Sequence, residues 1–130
     1  MQYPFEVDFG GSIRLLGYDV GTLQAGQPLT VTLYWQSLAE LDEDYLVFVH
    51  MLNEAGAIVT QVDEGPQQGG YPTSLWVAGE VIADRHTLTL PGDLLAGDYR
   101  LRIGFYRQED GEYLAVNGDA SILLPVIGHR

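Results

Sequence analysis

Neither cysteine nor lysine occurs in the sequence. Without cysteine there is no disulfide, no thiolate zinc site and no thiol nucleophile. Without lysine there is no Walker-type phosphate loop, no Schiff base and no lysine general base. Positive charge is scarce altogether: six arginines face 18 acidic residues, a formal net charge of −12 at pH 7. Nucleic acid requires a basic footprint to neutralise phosphates, so it is excluded as a partner. An anionic membrane surface is disfavoured for the same reason. Nor is there an apolar run near the ~18–20 residues that span a bilayer, so direct membrane insertion is not expected. The start, Met1-Gln2-Tyr3-Pro4-Phe5-Glu6, lacks the basic and apolar regions of a secretory signal. The chain therefore reads either as cytoplasmic or as part of a longer exported protein, and compartment stays open on composition.

What is present is a chain of 130 residues, 46% apolar and 18% charged. That is a folded acidic domain rather than a disordered tail. One domain, 1–130, with a core over about 11–127, is the expectation. Sixteen glycines and six prolines cut the sequence into short segments, and the segments read as strands. Leu29, Val31, Leu33 and Trp35 alternate with Thr30, Thr32, Tyr34 and Gln36, the period of a half-buried antiparallel strand. Tyr45 to Leu52 is apolar on both faces, and Asn53-Glu54-Ala55-Gly56 turns it into a hairpin with Ala57 to Val62. A long loop, Asp63 to Ser74, follows. Further strands are predicted at Ser12 to Val20, Val81 to Leu90, Gly97 to Tyr106, Tyr113 to Val116 and Ala120 to Ile127, the last tolerating Pro125 near an edge. Seven or eight short strands with regular turn signals predict an all-β, immunoglobulin- or fibronectin-III-like antiparallel sandwich, with a jelly roll as the alternative. Leu95-Ala96-Gly97-Asp98-Tyr99 has the form of a tyrosine corner.

Candidate chemistry is sparse. None of Ser12, Ser37, Ser74 or Ser121 lies in G-x-S-x-G. Among eighteen acids some pair always meets a glycosidase spacing, so that signal has no specificity. His50, set among Leu46, Phe48 and Leu52, reads as a packed core histidine before it reads as a ligand or base. His86, on an alternating strand, reads as exposed. Asp42, Asp44 and Asp63 give a weak calcium option, secondary to solvated acidic turns, because the D-x-[DN]-x-[DN]-G pattern fails at Leu46. No cofactor is implied. Tyr71 and Trp76 on the Gly-rich loop could stack on a sugar, although a tryptophan anchoring the loop is the plainer reading. Tyr34, Arg100, Arg102 and Tyr106 form a polar platform if their two strands are neighbours, with the arginines expected to be paired to carboxylates.

Five blocks taken together carry a resemblance: Ile13-Arg14-Leu15-Leu16-Gly17-Tyr18; Pro28-Leu29-Thr30-Val31-Thr32-Leu33-Tyr34-Trp35; Asp44-Tyr45-Leu46-Val47-Phe48-Val49-His50-Met51-Leu52 with its Gly56 hairpin; after Asp63 and Pro66, Tyr71-Pro72-Thr73-Ser74-Leu75-Trp76 running on through Gly79-Glu80-Val81; and Leu95-Ala96-Gly97-Asp98-Tyr99-Arg100-Leu101-Arg102-Ile103-Gly104-Phe105-Tyr106. In this order they resemble the β-sandwich domain at the C-terminal end of multi-pass bacterial glycosyltransferase-like membrane proteins, notably from the Chloroflexi. The resemblance spans about residues 11–116. It implies a non-catalytic, extracytoplasmic accessory domain mediating protein or glycan contact, with catalysis in the membrane portion of a parent protein. A stand-alone carbohydrate-binding module is the alternative, and a small enzyme ranks last. The partners implied are a glycan or that membrane portion, with a monomer or weak dimer in solution.

Overall fold

A computed structural model describes residues 1–130. Its strands are β1 (Tyr3–Phe9), β2 (Ile13–Val20), β3 (Pro28–Ser37), β4 (Tyr45–Leu52), β5 (Ile58–Glu64), β6 (Val81–Thr89), β7 (Gly97–Arg107), β8 (Ile122–Leu123) and β9 (Ile127–His129). A single 3-10 turn, Thr73–Leu75, lies between β5 and β6. One sheet has the order β1-β2-β3-β6; the other has β5-β4-β7-β8, with β9 also paired to β7. Every pairing is antiparallel, so the chain is an all-β sandwich.

Alternation decides what lies between the sheets. Leu29, Val31, Leu33 and Trp35 of β3 point inward, as do Val47, Val49 and Met51 of β4 and Tyr99, Leu101, Ile103 and Phe105 of β7. The two sheets meet through rings. Trp35 and Phe105 have centroids 4.6 Å apart, and Phe9 packs edge-on against both at 5.5 and 5.6 Å. The tyrosine corner forms: Tyr99 is 5% exposed, and its hydroxyl donates to the Leu95 carbonyl at 2.5 Å. Tyr99→Phe leaves that carbonyl without its donor, and is expected to lose about 0.5–1.5 kcal/mol in urea denaturation. An unchanged midpoint would show that the bond contributes nothing.

Several expectations are corrected. The core begins at β1, which supplies Phe9, rather than at residue 11. β5 runs through Asp63 and Glu64, which therefore belong to a strand and not to the long loop. Tyr113 to Val116 makes only isolated bridges, Tyr106 with Tyr113 and Val116 with Asp119. The final strand divides into β8 and β9 on either side of Pro125, which has no N–H to give a ladder. The two histidines exchange places. His86 is 0% exposed between the sheets, while His50 lies on the outward side of β4, paired across to Arg102.

Candidate functional site

Cross-strand partners share a face, so register defines the outer surface of the five-stranded sheet. Along β4 and β7 the outward pairs are Leu46 with Tyr106, Phe48 with Gly104, His50 with Arg102 and Leu52 with Arg100. Asp63 and Gln61 of β5 stand opposite Phe48 and His50, and Leu123 of β8 stands opposite Arg102. From Tyr106 to Arg100 this strip extends about 20 Å along the strand, at about 3.3 Å per residue.

One end of the strip is aromatic. Phe48 stacks on Tyr106 at 6.1 Å and meets Tyr113 edge-on at 5.8 Å, and Tyr113 is 56% exposed. Gly104 makes this arrangement fit. A Cβ there would lie 2.5 Å from the Phe48 ring and 2.8 Å from the Ala120 carbonyl oxygen, both well inside van der Waals contact. The tip of the ring thus approaches bare backbone, with the chain returning toward β8 beside it, and Phe48 is left 5% exposed.

The middle is a polar relay. Arg102 Nη2 donates to His50 Nδ1 at 3.1 Å, which requires His50 to be neutral at that nitrogen. His50 Nε2 then carries its proton toward Asp63 Oδ1 at 3.2 Å, and Tyr106 donates its hydroxyl to Asp63 Oδ2 at 3.1 Å. Burial, reinforced by the Asp63 carboxylate, holds the Tyr106 hydroxyl above the usual phenol range, so it remains a donor. Asp63 thus takes one hydrogen bond at each oxygen.

At the other end, a groove of about 670 Å³ includes Arg102, Leu52 and Leu123 in its lining. A neighbouring cleft of about 380 Å³ shares Leu52 and Leu123 and is flanked by Arg100. The arginines were expected to be paired, and they are not. Arg14 is bridged to Asp8 at 2.7 Å, Arg107 to Glu43 at 2.6 Å and Arg130 to Asp98 at 2.8 Å. No carboxylate comes within 4.0 Å of Arg100 or Arg102.

The remaining candidates lie apart from this strip. β3 and β7 belong to different sheets, so Tyr34 looks out from the opposite side of the sandwich to Arg100, Arg102 and Tyr106. There Tyr34 donates to Asp19 at 2.5 Å, which raises its hydroxyl pKa chiefly through that bond. Trp76 is 2% exposed, and its indole N–H donates to the Tyr71 carbonyl at 3.0 Å. Tyr71 in turn donates to Glu80 at 2.7 Å. Both rings hold the loop together; Trp76 offers no free face, and Tyr71 is half-buried with its hydroxyl committed to Glu80. Asp44 accepts from Ser74 N at 3.1 Å, far in function from Asp63 on the strip. Asp42, Asp44 and Asp63 are not gathered, and no group of three or more His, Asp or Glu side chains is arranged to hold a metal ion.

Phe48, Tyr113, His50 and Asp63 are the site residues that sequence reasoning did not place here. Their signal was the run Tyr45 to Leu52, whose even positions are too apolar for an ordinary wet face. Only the single histidine among them hinted that this face was the outer one.

Among solved structures, the C-terminal domain of Wzt superposes with a TM-score of 0.64, covering 96% of this chain and 85% of its own, at 18% identity. That likeness establishes the fold, and it is to a domain set at the C-terminal end of a longer protein. The neighbour is named for Wzt and not for a glycosyltransferase, so the sandwich part of the resemblance stands without that association. No protein-family model matches the chain, and no curated protein sequence matches it.

Proposed function

We propose that this chain is a non-catalytic accessory β-sandwich domain that contacts glycan through the outer face of β4 and β7. The parent, as the sequence resemblance implies, is a membrane protein of the glycosyltransferase kind. The observation that carries the reading is the strip itself. Two partly exposed tyrosines, Tyr106 and Tyr113, backed by the buried Phe48 at one end, and a fixed polar relay beside them match a sugar's two surfaces, its apolar C–H face and its hydroxyl rim. Gly104 lets Phe48 pack close against the backbone, where it backs the two tyrosines. Two acid–base pairs bear on the non-catalytic part: on the strip, His50 and Asp63 are tied to Arg102 and Tyr106 within the relay. Asp84 and His86 are both 0% exposed and cannot meet a substrate.

The test is an NMR titration with a panel of neutral and acidic oligosaccharides at millimolar concentration. Shifts are expected in the Tyr106 and Tyr113 ring signals, and a Tyr106→Ala/Tyr113→Ala variant should bind about tenfold or more weakly while staying folded. Tryptophan fluorescence should stay silent, because Trp35 and Trp76 are 0% and 2% exposed. Shifts confined to the Tyr34 face or to the Tyr71 loop, or no shifts with any sugar, would refute the assignment.

A further inference from the structure

We propose that the glycan is acidic, with its carboxylates taken by Arg100 and Arg102; this rests on the glycan-contact reading above and names its ligand class. The chain has six cations in all. Three are spent on ion pairs at strand ends and turns. Of the three without one, two stand side by side on the outward face of β7, about 7 Å apart by the strand repeat. Arg85, the third, is on β6 in the other sheet.

Arg102 is held without being neutralised. Its only side-chain partner is the His50 ring nitrogen at 3.1 Å, which fixes the guanidinium plane and leaves its charge and its other N–H groups free. A planar, oriented guanidinium suits a carboxylate, which it can engage through two parallel hydrogen bonds. The nearby acids have partners of their own, and none of them bridges either arginine. Glu54 accepts from Asp98 N at 3.0 Å, Asp98 is bridged to Arg130 at 2.8 Å, and Asp63 takes His50 and Tyr106. Glu6, on the far wall of the groove, is 3.7 Å from Arg14. Asp119 is the one groove acid outside these pairs, and it is set across from β7 on the return segment. Beside the arginines stand Leu52 on β4, opposite Arg100 and 7% exposed, and Leu123 on β8, opposite Arg102 and 45% exposed. Cations beside apolar side chains match a uronic acid, whose ring has an apolar face and one carboxylate at its edge.

The net charge of −12 does not forbid this. At physiological salt the screening length is about 8 Å, so a bound carboxylate senses mainly the local arginines. Duplex DNA, with a charge every ~1.7 Å, would need far more cations than the face has. A uronate chain carries one charge per sugar, which two arginines can meet.

The experiment is calorimetric titration of the intact 130-residue chain with tetragalacturonate and with its fully methyl-esterified form, which has the same backbone without the charge. Wild type should bind the acid about tenfold or more tightly than the ester, as one to two charge-assisted pairs imply. Arg100→Gln/Arg102→Gln should abolish that preference, whereas Arg85→Gln should keep it. A melting curve for each variant reports whether it is folded. Equal binding of acid and ester overturns the inference and leaves the glycan reading intact. A loss in Arg85→Gln as large as in the double variant overturns it too, since bulk charge would then be the cause. If neither form binds, the inference fails, and the Tyr106 and Tyr113 shifts with neutral sugars decide the broader reading separately.

Discussion

Asp84→Ala is expected to destabilise the domain by about 3–5 kcal/mol, because it strands partners that have no access to water. Asp84 Oδ2 accepts from Trp35 Nε1 at 3.0 Å and pairs with His86 Nε2 at 2.6 Å. Asp84 Oδ1 accepts from Gln67 N at 2.5 Å. A single carboxylate thus joins β3, β6 and the loop after β5 at the open side of the sandwich. Gln67 and Gln68 have φ of 53° and 59°, a region that non-glycine residues enter only when held, and Gln67 is held by Asp84 together with the bond from its side chain to the Ala83 carbonyl at 3.1 Å. His86→Leu should be nearly as damaging, since it leaves a buried carboxylate without its cation. The double variant Asp84→Leu/His86→Leu should lose clearly less than the two singles added together, because both charges go. Additive losses in urea denaturation would show that the pair does not act as a unit.

The same network gives stability a pH dependence whose sign is fixed. Burial alone would lower the His86 pKa, but its bond to Asp84, with the Asp84 and Glu64 charges, outweighs burial and raises it above the ordinary histidine value. Glu64 Oε1 lies 3.7 Å from His86 Nδ1, a nitrogen with no hydrogen-bond partner of its own. The unfolded chain releases this proton near pH 6.5, the folded chain at higher pH. The stabilisation is therefore complete below about pH 6.5 and is lost as pH rises through the raised folded value. Urea midpoints taken from pH 6 to pH 9 should fall for wild type and stay flatter for His86→Leu.

How far the sequence reveals this architecture depends on how local each feature is. The alternation of β3 is visible because its inward and outward residues differ in kind: Leu29, Val31, Leu33 and Trp35 against Thr30, Thr32, Tyr34 and Gln36. The tyrosine corner is equally local, with donor and acceptor four residues apart. In β6 the parity is also written, since Ile82 and Leu88 share a face with Asp84 and His86. Composition argues against burying two ionisable groups, and it is overruled by Trp35, 49 residues away, which supplies the donor. β4 fails differently. Val47, Val49 and Met51 are no more apolar than Leu46, Phe48 and Leu52, so nothing along the strand says which set faces the core. The neighbours settle it: the inward set meets Ile103 and Phe105, the outward set meets Arg102 and Gly104. The supposed Tyr34–Tyr106 platform failed for a related reason. Each strand shows its own exposed face, but which strands lie side by side depends on pairings remote in sequence. The site is therefore less legible than the fold, because it is assembled almost wholly from cross-strand neighbours.

Trp76→Ala discriminates between the two meanings of the aromatic loop, and the expected result is a loss of about 3–5 kcal/mol with no specific effect on sugar binding. The ring is buried in the apolar cluster with Trp35 and Phe105, and its N–H is satisfied by the Tyr71 carbonyl at 3.0 Å. Around it the loop is tied at both ends. Thr73, 0% exposed, donates its hydroxyl to the Glu43 carbonyl at 2.8 Å and accepts from Tyr45 N at 3.1 Å. Glu80 accepts from both the Tyr71 hydroxyl and Val77 N. Removing the indole leaves a cavity that these bonds prevent from collapsing, which places the cost toward the upper part of the range. Trp76→Phe keeps most of the volume and forfeits mainly the hydrogen bond, so it should fall about 1–2 kcal/mol below wild type and remain folded for ligand work. Tyr106 and Tyr113 should then shift with oligosaccharide in Trp76→Phe as they do in wild type. A folded Trp76→Phe domain that has lost those shifts would move the site from the β4–β7 face to the loop.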